Sequence, residues 1–168
     1  MSTTVKKRNG RGTEPLNLDK MHKMVEEACK DVAGVSESAV EMNSGLQFYD
    51  GMTSTEIQSI LIKSAADLIS LDSPNYQYVA ARLLLFQVRK SVFNTKWKDS
   101  KIYPPLKDIV TRNINYNVYD DKLITYYSDE EWDKLDSYMK HDRDFFFTYA
   151  GLRQVVDKYL VQDRSSDF

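Results

Sequence analysis

Asp72-Ser73-Pro74-Asn75-Tyr76-Gln77-Tyr78-Val79-Ala80-Ala81-Arg82-Leu83-Leu84-Leu85-Phe86-Gln87-Val88 is the stretch on which the fold turns. Tyr76, Val79, Ala80, Leu83, Leu84, Phe86 and Val88 cover most of a helical circumference instead of one stripe. A helix apolar nearly all round must itself be covered nearly all round, which puts it at the centre of a bundle. Ser73-Pro74 opens it, because proline is tolerated at the first helical position. Arg89 and Lys90 close it with cations that complement the helix dipole.

The residues before this helix supply its cover. Thr53 and Glu56 have capping-box spacing, and Ile57, Ile60, Leu61, Ala65, Leu68 and Ile69 then mark an amphipathic helix. Gly51 closes the segment ahead of it. Ser38 and Glu41 match a second capping box and predict a short helix as far as Gln47. Further back, Asn17 is a suitable N-cap for a helix carrying Leu18, Met21, Val25, Ala28 and Val32 on one face, ended by Gly34. Thr3, Thr4 and Val5 favour a strand, and Asn9-Gly10 is a strong hairpin dipeptide. Arg11-Gly12 lengthens that turn, and the return strand ends near Pro15-Leu16.

Downstream, Phe93 to Pro105 carries Trp97, several lysines and Pro104-Pro105, and reads as a linker. Helical segments are predicted over 105–114, 128–139 and 143–158, and Tyr159 to Gln162 is a candidate strand. The expected fold class is therefore mostly α. A small β-hairpin caps a four-helix unit over 1–92, a linker covers 93–104, and additional short helices occupy 105–168.

Composition narrows the function classes. The 168 residues are 42% hydrophobic, 29% charged and 12% aromatic, a balance that builds a globular core. A net charge of −2 provides no global basic field to draw the chain to nucleic acid or membrane. Cys29 stands alone, so no disulfide forms within the chain, and a reducing, cytoplasmic setting is expected. Its place beside an apolar stripe reads as core packing. His22 and His141 have no partners at metal-ligand spacing. His22 is expected at the surface, and the aromatic run 145–149 is expected to pack. The basic N-terminus is followed by no apolar run of signal-peptide type.

Lys6-Lys7-Arg8-Asn9-Gly10-Arg11 is the most informative local chemistry. Clustered cations beside a tight turn suit polyphosphate, Arg as a planar fork and Lys as a mobile point charge. A solvated basic terminus accounts for the same residues. The segment is not a P-loop, since the GxxxxGK[ST] pattern is absent. Lys90 has two readings as well: a cation on the helix dipole, or a second phosphate contact beside Lys7.

The order of these elements, with Val5-Lys6-Lys7-Arg8-Asn9-Gly10, Glu14, Asn17, Lys20, Gln47-Phe48-Tyr49-Asp50-Gly51-Met52-Thr53 and the Tyr78-Val79-Ala80-Ala81-Arg82 core, resembles the ATP-cone of class I ribonucleotide reductase large subunits of bacterial or phage type. His141-Asp142-Arg143-Asp144, Phe147-Thr148-Tyr149-Ala150 and Lys158-Tyr159-Leu160-Val161-Gln162-Asp163 resemble the region that leads to the catalytic barrel. The resemblance implies an allosteric site for ATP or dATP, with Mg2+, that controls overall reductase activity in deoxyribonucleotide synthesis. By position it implies phosphate contacts from Lys7 and Lys90, and a pocket lined by Arg8, Glu14, Asn17, Lys20, Ser54, Thr55 and Gln58. Gln58 stands where regulated relatives carry a histidine; glutamine hydrogen-bonds but does not become cationic. The implied partners are the remainder of the large subunit, the small radical-generating subunit, or further copies of the chain. The barrel and its cysteines would lie beyond Phe168, so the chain alone is expected not to reduce a ribonucleotide. The competing expectation is a non-sensing assembly piece that docks through apolar faces beyond residue 105.

Overall fold

The computed structural model describes residues 3–7, 12–93 and 103–161. In chain order these form β1 (Thr4–Lys6), β2 (Thr13–Pro15), α1 (Leu18–Cys29), α2 (Glu37–Gly45), β3 (Met52–Thr53), α3 (Ser54–Asp67), α4 (Tyr76–Phe93), α5 (Leu106–Asn115), α6 (Asp129–Tyr138) and α7 (Tyr149–Lys158). Two 3-10 segments, Asp121–Ile124 and His141–Phe146, lie between the later helices. The mostly helical architecture with a small β cap is the one the sequence predicts.

The central place expected for α4 is observed. It buries Tyr76, Val79, Ala80, Ala81, Leu83, Leu84, Leu85 and Phe86, with α1, α3 and α7 packed around it. Each large apolar side chain so buried contributes about 1.5–3 kcal/mol. The helix starts at Tyr76, later than Ser73-Pro74 suggests; Pro74 and Asn75 instead form a turn whose carbonyls accept from the Gln77 and Tyr78 amides. Gln58 on α3 donates to the Leu83 carbonyl at 2.9 Å. With that pair level and a short connection at the far end, α3 and α4 form an antiparallel pair.

Local boundaries differ from expectation where a distant group decides them. α1 stops at Cys29, short of Val32 and Gly34, and Asp31 turns the chain with φ 58°. The Arg82 guanidinium donates to the Ala28 and Lys30 carbonyls, completing that end from α4. The N-cap of α2 is Ser36 instead of Ser38, its hydroxyl accepting from the Ala39 amide. The Ser36 amide in turn donates to the Tyr76 hydroxyl at 2.9 Å. The capping box of α3 forms as read, from Thr53 and Glu56, but the helix ends at Asp67, leaving Ile69 exposed.

The hairpin carries an additional strand that the sequence does not announce. β1 pairs antiparallel with β2 and parallel with β3, giving the order β2-β1-β3. Val5 and Met52, opposite each other in the parallel pair, are both buried.

The segment expected to be one helix over 143–158 is two elements, because Thr148 N-caps α7 through the Gly151 amide. No strand forms at Tyr159 to Val161; the Tyr159 and Leu160 amides both bond to the Val155 carbonyl and finish α7. Gln162 lies outside the described residues, as does the linker from 94 to 102. Of the run 145–149, Phe145 and Tyr149 pack on the core whereas Phe146 and Phe147 are exposed. Leu152 and Val156 of α7 belong to the same continuous core as α1, α3 and α4. No helix among the described residues is long and apolar enough to cross a membrane.

Candidate functional site

β1 and β3 run side by side with Lys6 opposite Thr53. Each strand hands over at the same end: β1 to Lys7, β3 to the first turn of α3. The parallel pairing therefore brings Lys6 and Lys7 toward the N-terminus of a helix, where backbone N–H groups and the helix dipole favour an anion.

On the hairpin side, Lys7 Nζ lies 2.9 Å from Glu14 Oε2, with both side chains about half exposed. The Lys7 hydrogen bond, reinforced by its charge and that of Lys20, holds the Glu14 carboxyl below its ordinary range against a desolvation effect of opposite sign. Asn17 acts as the predicted N-cap of α1, its Oδ1 accepting from the Lys20 amide at 2.9 Å. Lys7, Glu14, Asn17 and Lys20 thus form one group. Arg8 lies outside the described residues, with Asn9, Gly10 and Arg11.

On the α3 side, Ser54 and Thr55 occupy the first turn, both half-buried. Gln58 follows one turn later with its amide directed to the Leu83 carbonyl. From that register, Ser54 comes level with Gln87, and Lys90 follows within a turn. Lys90 is exposed in the last turn of α4. Lys7, Ser54 and Thr55 therefore lie toward one end of the α3–α4 pair, and helix register brings Lys90 to the same end.

Sequence reasoning read the Thr53–Glu56 cap at this end but missed the Tyr49 and Asp50 bonds that support it. Glu56 accepts from the Thr53 amide at 2.7 Å and the Thr53 hydroxyl at 2.8 Å through one oxygen, and from the Tyr49 hydroxyl at 2.7 Å through the other. Those bonds, led by that from the Thr53 backbone, hold the Glu56 carboxyl below its ordinary range. Asp50 Oδ1 accepts from the Thr4 amide at 2.7 Å and the Thr4 hydroxyl at 2.8 Å, and these bonds lower its pKa too. Gly51, with φ 80°, lets the chain reverse there while its amide donates to the Thr4 carbonyl. Asp50-Gly51 is a turn signal in sequence; that its carboxylate holds a strand 46 residues away is not.

Outside this end, Cys29 is buried, and burial first of all pushes its thiol up to about 11, so it is a core residue with little thiolate. His22 is at the surface as expected, its Nδ1 2.7 Å from Glu41 Oε1. Among the described residues no cluster of His, Cys, Asp or Glu could hold a metal ion.

The family model described as ATP cone domain matches residues 3–91. The ribonucleoside-diphosphate reductase 1 subunit alpha of Salmonella typhimurium is 44% identical over 164 residues, covering 97% of this chain and 21% of that protein. The corresponding Escherichia coli subunit is 44% identical over 161 residues, covering 95% of this chain and 20% of its own length. The reductase subunit alpha of Enterobacteria phage T4 is 42% identical over 135 residues, 79% of this chain and 17% of that subunit. The chain thus spans about a fifth of the length of these relatives. A matched segment that contains the whole hairpin, β3, α1 to α3 and nearly all of α4 decides the assignment: the chain belongs to the ATP-cone domain family.

Proposed function

We propose that the chain is a regulatory nucleotide-binding region of a ribonucleoside-diphosphate reductase large subunit, taking ATP or dATP, with Mg2+, at the hairpin end of α3 and α4. The observation that carries this reading is the parallel pairing of β1 with β3, which sets Lys7 beside the N-terminus of α3. In the proposed site Lys7, Arg8 and Lys90 meet the phosphates, while Glu14, Asn17, Lys20, Ser54, Thr55 and Gln58 line the base and sugar. ATP and dATP differ only by the ribose 2′-hydroxyl, so discrimination rests on short polar groups such as Ser54 and Thr55. Such a site controls overall reductase activity, and through it deoxyribonucleotide synthesis, only if the nucleotide binds two states unequally; a coupling of about 1–3 kcal/mol is typical. Gln58 keeps the same charge across pH, so no proton switch is expected at that position. The setting is cytoplasmic, and the partners are the remainder of the large subunit, the small subunit, or further copies of the chain. The functional division falls at 1–92 for the cone, 93–104 for the linker and 105–168 for the helices beyond.

Calorimetric titration with ATP and with dATP plus magnesium tests the proposal. Saturable binding is expected, weakened roughly ten- to hundredfold by Lys90→Ala, the worth of a lost charge-assisted hydrogen bond. A folded chain that binds neither nucleotide sinks the sensor reading. It would favour a second one, an assembly piece, for which Tyr116, Tyr126, Tyr138 and Phe146 beyond residue 105 supply exposed aromatic side chains.

A further inference from the structure

Arg89 precedes Lys90 in the last turn of α4, yet it is buried. A cation serving only the helix dipole would sit in solvent. The Arg89 guanidinium instead lies 4.9 Å from the centre of the Tyr103 ring and 5.0 Å from that of Phe145. Its Nη2 donates to Asp144 Oδ2 at 2.9 Å and, more weakly, to the His141 carbonyl at 3.4 Å. The Tyr103 hydroxyl donates to the same Asp144 oxygen at 3.2 Å. The Tyr103 ring stacks on His141 at 3.5 Å, the planes 7° apart. Two separate stretches of chain, around Tyr103 and over 141–145, therefore close on this guanidinium.

We propose that Asp144 and Tyr103, both beyond the residues matched by the family, are positioning residues for the phosphate end of the cone: they hold Arg89, and Arg89 holds the turn of α4 that carries Lys90. The proposal rests on the nucleotide site proposed above. Its physical basis is that a terminal helical turn frays unless anchored, because its last carbonyls have no partners within the helix. A buried guanidinium with a carboxylate, two rings and a carbonyl supplies an anchor. Removing the carboxylate takes from a buried charge the acceptor at 2.9 Å, which favours opening of the turn. The phosphate end of the cone then depends on side chains that lie beyond residue 92. Occupancy of the site and the packing of the later helices become linked through one side chain.

Two measurements on the full chain test this. In hydrogen exchange without nucleotide, the amides of residues 87–93 are expected to exchange faster in Asp144→Ala and Tyr103→Phe than in the parent. Asp144→Asn, which keeps an acceptor, should fall between. In calorimetry, Asp144→Ala is expected to weaken ATP on the order of tenfold while changing AMP little, because only the outer phosphates reach Lys90. Unchanged exchange over 87–93, or equal weakening of ATP and AMP, overturns the proposal. Should Asp144→Ala fail to fold, Tyr103→Phe and Asp144→Asn carry both measurements. Should the parent bind no ATP, the nucleotide reading falls and takes the phosphate role with it; the exchange measurement still decides whether the joint holds the turn.

Discussion

His22 and Glu41 show how much a single side chain can report. The Glu41 hydrogen bond, and then its charge, raise the His22 pKa above the ordinary 6.5. A folded-state pKa raised above the unfolded one stabilises the fold fully below the unfolded value, and that contribution disappears as pH rises through the folded value. The chain should therefore lose this increment on the alkaline side of pH 6.5. Urea midpoints across that window should fall in the parent and stay level in His22→Gln. An equal fall in both would show that the ion pair does not form. Glu14, Asp50 and Glu56 work in the opposite sense, since their lowered values keep their contributions until pH drops below the ordinary carboxylate range. At this scale much was legible. Asn17 and the pair Thr53 and Glu56 were read correctly, because a cap depends on residues three apart in the chain. Ser36 was not, because the choice between Ser36 and Ser38 is tied to the Tyr76 hydroxyl 40 residues away.

Among the elements, α4 sets the terms for its neighbours. Its apolar circumference was readable, and so was its central place. The end of α1 was not readable, because Arg82 of α4 completes it. Nor was β3, whose two residues carry no periodicity and exist as a strand only through pairing with β1. Arg89 was misleading in isolation: the dipole accounts for a cation there, and only its partners around residues 103 and 141–145 account for its burial. A contrast between two substitutions tests this ranking. Leu83→Ala, at a fully buried position of α4, should cost about 2–5 kcal/mol. Thr53→Ala, which removes the α3 cap, should cost about 1 kcal/mol. Thermal unfolding followed by circular dichroism would measure both, and comparable losses would mean that α4 is not the centre of the core.

For the whole molecule, the core matters more than the division suggested by composition. Phe145, Tyr149, Leu152 and Val156 join the cluster built on α4. A fragment of residues 1–92 would expose the face of α4 that α7 covers. It should unfold at a lower urea concentration, and with a smaller dependence on urea, than the full chain, because less surface is exposed on unfolding. An unchanged midpoint would show the later helices to be energetically separate. The candidate site was legible as a set of residue types; its assembly was not, because the step that joins hairpin to helix is the β1–β3 pairing.

That pairing also governs how the hairpin can move. A hairpin attached only through Leu16 and Asn17 would swing as a flap on a single hinge. This one is buttoned on its other edge as well: Val5 lies against Met52 in the sheet, and Asp50 grips Thr4 from the same side. The hairpin and the first turn of α3 are therefore one body, and any opening wide enough to separate them must first unzip the sheet.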